Sequence, residues 1–247
     1  GLGFIPVVSV SFGLEKNPGF NLTLPLLRKM IYGMMYGDLI MNVANQTRPY
    51  EVNPGDTTAK VEYWINELIA RFDRGDGMSR KKMKAILKEI SHDFKTIPVA
   101  GEPKVRVGVV GEILVKYMPL ANNHLVELLE KEGAEAVVPD LLDFLNYCVY
   151  NLEYKHEHLG ARWTSAAAAK LSVAGIRLFR RPALKALEKS RRFEAPMPIQ
   201  QVAKLAKPFL SIGNQYGEGW FLTGEMAELL LTELIFAALG ALCGAVY

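Results

Sequence analysis

Apolar positions recur every three to four residues over most of this chain, and only three short runs depart from that rhythm toward the dense, β-branched pattern of a buried strand. The first, IPVVSVSF from Ile5 to Phe12, is brief and Val-rich and is stopped by Gly13, which predicts a strand. Leu14 to Pro25 holds two prolines and Gly19, an irregular loop feeding a helix that Pro25 can start and that runs to about Ala44. That helix is apolar on most faces, and Gly33 and Gly37 lie four apart, so it is predicted to be buried with close packing on that side. Arg28, Lys29 and Asp38 spoil the apolar flanks that a membrane dimer motif would need.

An amphipathic helix follows from about Thr57 to Phe72, with Asp56 as its predicted N-cap and Val61, Trp64, Ile65, Leu68 and Phe72 as its apolar stripe. Ser79 is placed to cap a basic helix running to about Phe94, whose Arg80, Lys81, Lys82, Lys84 and Lys88 read as a solvated face. Pro98 to Pro103 reads as a linker. Lys104 to Asp140 is the clearest unit: VRVGVVGEI as a strand, Asn122 to Lys131 as a helix closed by Gly133, and AEAVVPD as a second strand. A strand, helix, strand series of this length predicts parallel neighbours with their loops at the carboxyl edge, where open α/β folds bind ligands. Leu141 to Glu157 is predicted helical, and a longer helix spans Ser165 to about Arg192, broken at Pro182. Its cationic run RLFRRPALKALEKSRR can meet the phosphates of a nucleotide or coenzyme A, but a solvated face is the preferred reading. A short helix from Ile199 to Leu210 follows.

The 247 residues suffice for two lobes, divided here at about residue 100 into 1–100 and 101–247. Half the residues are hydrophobic and 22% are charged, an ordinary globular balance. A net charge of +3 is too nearly balanced to imply a nucleic-acid footprint for the whole chain. Two cysteines, Cys148 and Cys243, give no disulfide framework and no CxxC pair, so a reducing compartment, the cytoplasm, is expected. The opening residues lack the features of a signal peptide and read as mid-protein sequence. From about Leu229 to Tyr247 only Glu233 is charged, in a stretch about as long as the ~20 residues that span a bilayer. The internal Glu233, the absence of a following Lys or Arg and the missing aromatic belt argue against a span.

Two segments concentrate polar chemistry beside glycines. In VGVVGEILVKYMPLANN, Gly108 and Gly111 allow close backbone approach, and Glu112, Lys116, Tyr117, Asn122 and Asn123 give the loop polar groups. The spacing GxxGE is not a dinucleotide fingerprint, and Lys116 belongs to no phosphate-loop motif. In SIGNQYGEGWFLTGE, Glu218, Trp220 and Glu225 occupy a predicted loop before a helix that Thr223 can cap, and a Glu buried beside an aromatic ring would have a raised pKa suited to proton transfer. The four histidines make no tight zinc pattern, and Cys148 falls on the apolar face of a helix as a core thiol.

Taken together, LEKNPGFNLTLPLL, NQTRPYEVNP, VGVVGEILVKYMPLANNHLVELLEKEGAEAVVPDLLDF and GNQYGEGWFLTGEM resemble the acyl-CoA dehydratase activase-related proteins of the 2-hydroxyacyl-CoA (2-hydroxyglutaryl-CoA) dehydratase family. The looser likeness runs from Gly1 to about Leu229. The resemblance implies an α/β fold of Rossmann-like or flavodoxin-like lobes with a parallel sheet and substantial helical insertions. It also implies a four-iron (4Fe-4S) cluster in the full-length parent, and an ATP-dependent activase as partner that delivers one electron for reductive dehydration of a CoA thioester, a lyase reaction of anaerobic metabolism. Gly111, Glu112, Tyr117, Asn122, Asn123, Glu218, Trp220 and Glu225 would then line the cleft, with no catalytic roles assigned among them. The departure from the family lies in the cysteines. Most cluster ligands are absent from this chain, LLLTELIFAALGALCGAVY does not match the expected cysteine-bearing segment, and Cys243 alone falls near a ligand position. The chain is therefore expected to be a fragment, inactive by itself. A non-catalytic α/β module that docks the activase is the alternative.

Overall fold

The computed structural model describes residues 23–210 and 219–244, leaving aside the side chains of 115, 154 and 232–244. Helices dominate, arranged about a small parallel sheet. The predicted strand at 5–12 and most of the loop leading from it lie outside the described residues.

Helix α1 (Leu24–Asn45) starts where Thr23, in extended conformation, accepts a hydrogen bond from Leu26 N with Pro25 in the first turn. Its Met35, Tyr36, Leu39, Ile40 and Val43 are buried, and the Tyr36 hydroxyl donates to Gly77 O at 2.6 Å. The two glycines do not serve close packing as expected. A Cβ at Gly33 would meet only the Phe72 ring at an ordinary 3.8 Å, and one at Gly37 would meet nothing within 4 Å. Helix α2 (Asp56–Asp73) is preceded by Gly55 at φ 100°, so the predicted cap Asp56 is instead its first helical residue. Trp64 and Leu68 are buried and Val61 and Phe72 half-buried, but Ile65 is 46% exposed, because the side of α2 one residue past Trp64 turns to solvent.

Helix α3 (Arg80–Lys95) is capped by Ser79, which accepts from Lys82 N at 3.3 Å. Met83, Ile86, Leu87, Ile90 and Phe94 repeat at helical spacing, and all are buried, forming the centre of the main apolar core with α1, α2 and the end of α7. Leu142, Ala183, Leu187 and Phe193 complete that core, which therefore draws on residues before and after position 100.

Strand β1 (Arg106–Gly108) pairs in parallel with β2 (Glu135–Val137), Arg106 opposite Glu135 and Gly108 opposite Val137. Bonds from Glu135 N to Val105 O and from Val109 N to Val137 O extend the ladder by a residue at each end. The strands are shorter than the sequence runs suggested. Between them lie α4 (Ile113–Tyr117), which begins inside the expected strand, and α5 (Leu125–Lys131), followed by Gly133 at φ 88°. Helices α1 and α5 pack on β2 and α9 (Gly219–Gly244) on β1. The strand, helix, strand unit is thus present, and the fold is α/β in the sense of a two-stranded parallel sheet set among helices.

Helices α6 (Leu141–Leu159) and α7 (Trp163–Ser190) are in extensive contact, and α8 (Ile199–Ala206) packs on α9. Pro182 does not break α7. The proline removes one donor, but Ala183 and Leu187 just beyond it are buried in the main core and hold the last two turns in line. Nor is the segment around Glu225 a loop. Trp220 and Phe221 are buried against Tyr147 and Ile199, which draws the chain into helix from Gly219 onward, and Thr223 Oγ1 donates back to Gly219 O within that helix rather than capping it. Among the described residues no helix is long and apolar enough to cross a membrane; the side chains of the apolar tail beyond Leu231 lie outside them.

Candidate functional site

At the carboxyl end of β2 the chain turns through Val138 and Pro139 into α6, and buried charges gather there. Asp140 and Asp143 stand one helical turn apart at the start of α6, on one face. Arg180, carried by α7, donates to both: Nη2 reaches Asp140 and Asp143, the latter at 2.8 Å, and Nη1 reaches Asp143. From α1, Asp38 accepts Leu141 N and Leu142 N at 2.9 Å each, and so fills the capping role that Asp140 leaves open. Burial lifts the Asp38 carboxyl well above its ordinary range, Asp140 adds to this, and the two amides oppose it. Burial likewise raises Asp140 to about 6 against the pull of Arg180, and its Oδ1 has no hydrogen-bond partner among the described residues. Burial works against the Arg180 charge, but Asp143 and Asp140 outweigh it and hold the guanidinium above its ordinary pKa.

A second buried ion pair joins α4 to α9. Lys116 of α4 donates to Glu225 of α9 at 2.9 and 3.2 Å, both side chains being 1–2% exposed. The ammonium also stands 5.2 Å from the centre of the Phe221 ring and 5.5 Å from that of Tyr117. Burial raises Glu225 to about 7 despite Lys116. Glu228, one turn further along α9, accepts Met197 N at 3.2 Å and is pushed by burial to about 7 as well. The Tyr117 hydroxyl donates to Pro139 O at 2.6 Å, and burial followed by the surrounding carboxylates raises its pKa.

Three of these groups reach a cavity of about 340 Å³ at the carboxyl end of β2. Asp143, Glu225 and Glu228 project to its wall, Arg106 and Glu194 stand at one side, and Phe221, Met197 and Pro139 supply apolar surface. Carboxyl groups held near neutral pKa in a partly apolar cavity can both donate and accept a proton at neutral pH, which is the requirement for general acid and base work.

Gly224 explains how α9 delivers Glu225. A Cβ there would lie 2.6 Å from Val202 O and 2.6 Å from Val202 Cγ1, so only glycine lets the α9 backbone approach α8 this closely. Trp220, beneath, is fully buried and donates from Nε1 to Asn151 Oδ1 at 2.8 Å.

Of the residues singled out from sequence, Tyr117 and Glu225 are brought together here beside Lys116, while Trp220 is buried against Tyr147 and Phe221. Glu112 is exposed and caps α4 by accepting Leu114 N, Asn122 accepts Leu125 N at the start of α5, and Asn123 is an exposed turn residue at φ 55°. Gly111 lies in the bend after β1, whereas Gly108 makes the close approach, to Leu229. Glu218 and the Cys243 side chain lie outside the described residues. Cys148 is exposed rather than a core thiol, since α6 turns Tyr147 and Asn151 inward instead. Asp38, Asp140, Asp143, Arg180 and Glu228 were not selected from sequence, and Lys116 stood out there only as one polar group of its segment. Their signal was present as charges inside otherwise apolar helical faces and as the Asp pair directly after a strand. Among the described residues no group of three or more His, Cys, Asp or Glu is placed to hold a metal ion. No family model matches the chain, and no curated protein or solved structure matches it either.

Proposed function

We propose that this chain is part of a 2-hydroxyacyl-CoA dehydratase-like protein of the cytoplasm, and that the cavity at the end of β2 holds the acyl end of a CoA thioester. One observation carries the reading. The two blocks that bear the family resemblance, one containing Lys116 and the other Glu225, are 109 residues apart in sequence and meet in a buried ion pair beside the cavity. On this reading the two-stranded parallel unit belongs to a Rossmann-like or flavodoxin-like lobe. Loss of water from adjacent carbons needs one group to protonate the departing hydroxyl and another to take up a proton from carbon, and Glu225 and Glu228 are held near the pKa that suits both tasks. Phe221 and Met197 would exclude water from the acyl chain, and Arg106 would meet a polar substituent.

The described residues do not form a site for the four-iron cluster of such a protein, since no three of their possible ligands converge. The cluster and the ATP-dependent activase that would reduce it therefore belong to the proposed parent, and this chain contributes binding and proton handling. Calorimetric titration with a 2-hydroxyacyl-CoA thioester tests the proposal. Saturable binding that weakens at least tenfold in Glu225→Gln and Glu228→Gln, with circular dichroism unchanged, is the expected result. Absence of thioester binding, together with capture of an activase, would overturn it in favour of a docking module.

A further inference from the structure

Charges on α3 are sorted by face. Asp93 lies 3.7 Å from Lys60 and accepts from the Trp64 indole, so this acid of α3 looks toward α2. Its other side carries Arg80, Lys84, Lys88 and Lys95 toward α7, which presents Arg181, Lys185 and Lys189 in return. The seven cations border one groove of about 560 Å³, floored by Ser91, Pro182 and Ala186, where Ser91 Oγ donates to Ala186 O across the two helices. Among the described residues lining the groove there is no Asp or Glu, and none of the seven cations is in an ion pair with a described carboxylate.

This arrangement works against stability. Arg80 with Lys84, Lys84 with Lys88, Arg181 with Lys185, and Lys185 with Lys189 are like-charge pairs four apart, and Arg80 to Lys82 put cations on the positive end of α3. A solvated face needs charge, but not charge of one sign on both walls of a cleft. An anion with several charges in the groove would relieve the repulsion on each helix and between them.

The shape narrows the anion. On α3 the cations at 80, 84 and 88 rise about 6 Å apart and Lys95 stands about 10 Å further, a span of ~22 Å, whereas the three on α7 span ~12 Å, so both walls are charged together over no more than ~12 Å. Helices in contact are ~8–10 Å apart, which leaves a cleft narrower than a nucleic-acid duplex, so a duplex would bear on the rim alone. A single strand would require aromatic platforms for its bases, and the lining holds no Phe, Tyr or Trp. We infer that the groove between α3 and α7 is a binding site for a compact oligophosphate, a chain of a few phosphate groups either free or carried by a small molecule. The inference is independent of the thioester cavity: Arg180 turns inward to the carboxylates, and its neighbour Arg181 turns outward to the groove.

Inorganic tripolyphosphate is the probe, titrated calorimetrically into the whole chain at low salt. One-to-one saturation is expected, with affinity falling as salt rises and falling at least tenfold in Lys84→Gln/Lys185→Gln, while Lys131→Gln/Lys155→Gln, the same charge change on other exposed lysines, leaves it within twofold. Both altered pairs are on the surface, so circular dichroism should match the unaltered chain. A nucleoside triphosphate binding as tightly as tripolyphosphate shows that the phosphate chain suffices, and tighter binding shows that the carrier adds contacts; either supports the site. No saturable binding, equal loss in the two double variants, or a duplex DNA bound more tightly than tripolyphosphate through the same lysines would overturn it.

Discussion

The core around α3 and the cluster around the end of β2 are both buried, yet they are built from opposite chemistry. Around α3 the contacts are Met83, Ile86, Leu87, Ile90 and Phe94 against the apolar side of α1, and burial is favourable for each side chain taken alone. At the end of β2 the buried groups are Asp38, Asp140, Asp143, Arg180, Lys116 and Glu225, each of which is costly alone and tolerable only because its partner is in place. The first region makes the fold stable. The second adds little stability, holds carboxyl groups near neutral pKa and borders a cavity, which is what a binding or reactive site requires.

The sharpest way to break this contrast is to remove one central side chain from each region. Phe94→Ala should destabilise by about 3–5 kcal/mol through the cavity it leaves, equally at pH 8 and pH 5. Arg180→Met should cost a comparable ~3–5 kcal/mol at pH 8, because two buried carboxylates lose their cation. Arg180 lowers an Asp140 pKa that burial already lifts to about 6, so without Arg180 the carboxyl takes up a proton still more readily, and the loss should shrink toward pH 5. Urea unfolding at the two pH values measures both. Equal losses for Arg180→Met at pH 8 and pH 5 would show that the cluster behaves as ordinary core.

The two regions also differ in how far their sequence announces them. The α3 core is written in a helical apolar repeat, and Ser79 marks its start, so the helix and its buried face follow from local pattern. The parallel strand pair was legible in its two Val-rich runs, though α4 consumed part of the first. The ionic cluster was only half legible. Tyr117, Trp220 and Glu225 stood out because they share segments with glycines, but Arg180 looked like one more cation in a basic helix until α6 was packed against α7. Which arginine of the pair at 180 and 181 turns inward depends on helix rotation set by Ala183 and Leu187, and Asp38 gains its role only when α6 begins beside α1, 103 residues later. Pairings over such separations are tertiary facts. Local pattern carries them only as an oddity, a charge where an apolar residue is due.

Gly224→Ala tests whether the ionic region depends on backbone approach as much as on charge. The added Cβ would meet Val202 O at 2.6 Å, a backbone atom that cannot rotate away, so α8 and α9 must separate. A loss of about 1–3 kcal/mol is expected in urea unfolding, as for overpacking elsewhere. The Lys116 pairing should loosen with it, read as a lowered Lys116 ammonium protection from solvent exchange. A loss below ~0.5 kcal/mol would mean that α9 is held by its aromatic contacts alone.

An effect of similar size is the most specific, because it reverses sign relative to most core substitutions. Burial raises the Glu228 carboxyl from its ordinary 4.5 to about 7, while its Oε1 accepts Met197 N. Between those two pH values the folded chain therefore binds more protons at this position than the unfolded chain does. The contribution of Glu228 to stability is complete below about pH 4.5 and is lost as pH rises through about 7. Glu228→Gln retains an oxygen for Met197 N and does not titrate. Asp140 and Glu225 titrate in the same range in both proteins and largely cancel in the difference. The stability of the variant minus that of the unaltered chain should thus rise with pH across this window and level off above it. The total rise should be about 1–3 kcal/mol, at ~1.4 kcal/mol for each pKa unit and reduced for the carboxyl's remaining contact with water. Urea midpoints at half-unit steps from pH 4 to pH 8.5 resolve the curve. A difference that is flat, or that falls as pH rises, would place Glu228 among ordinary solvated carboxylates and remove it from the pair that borders the cavity.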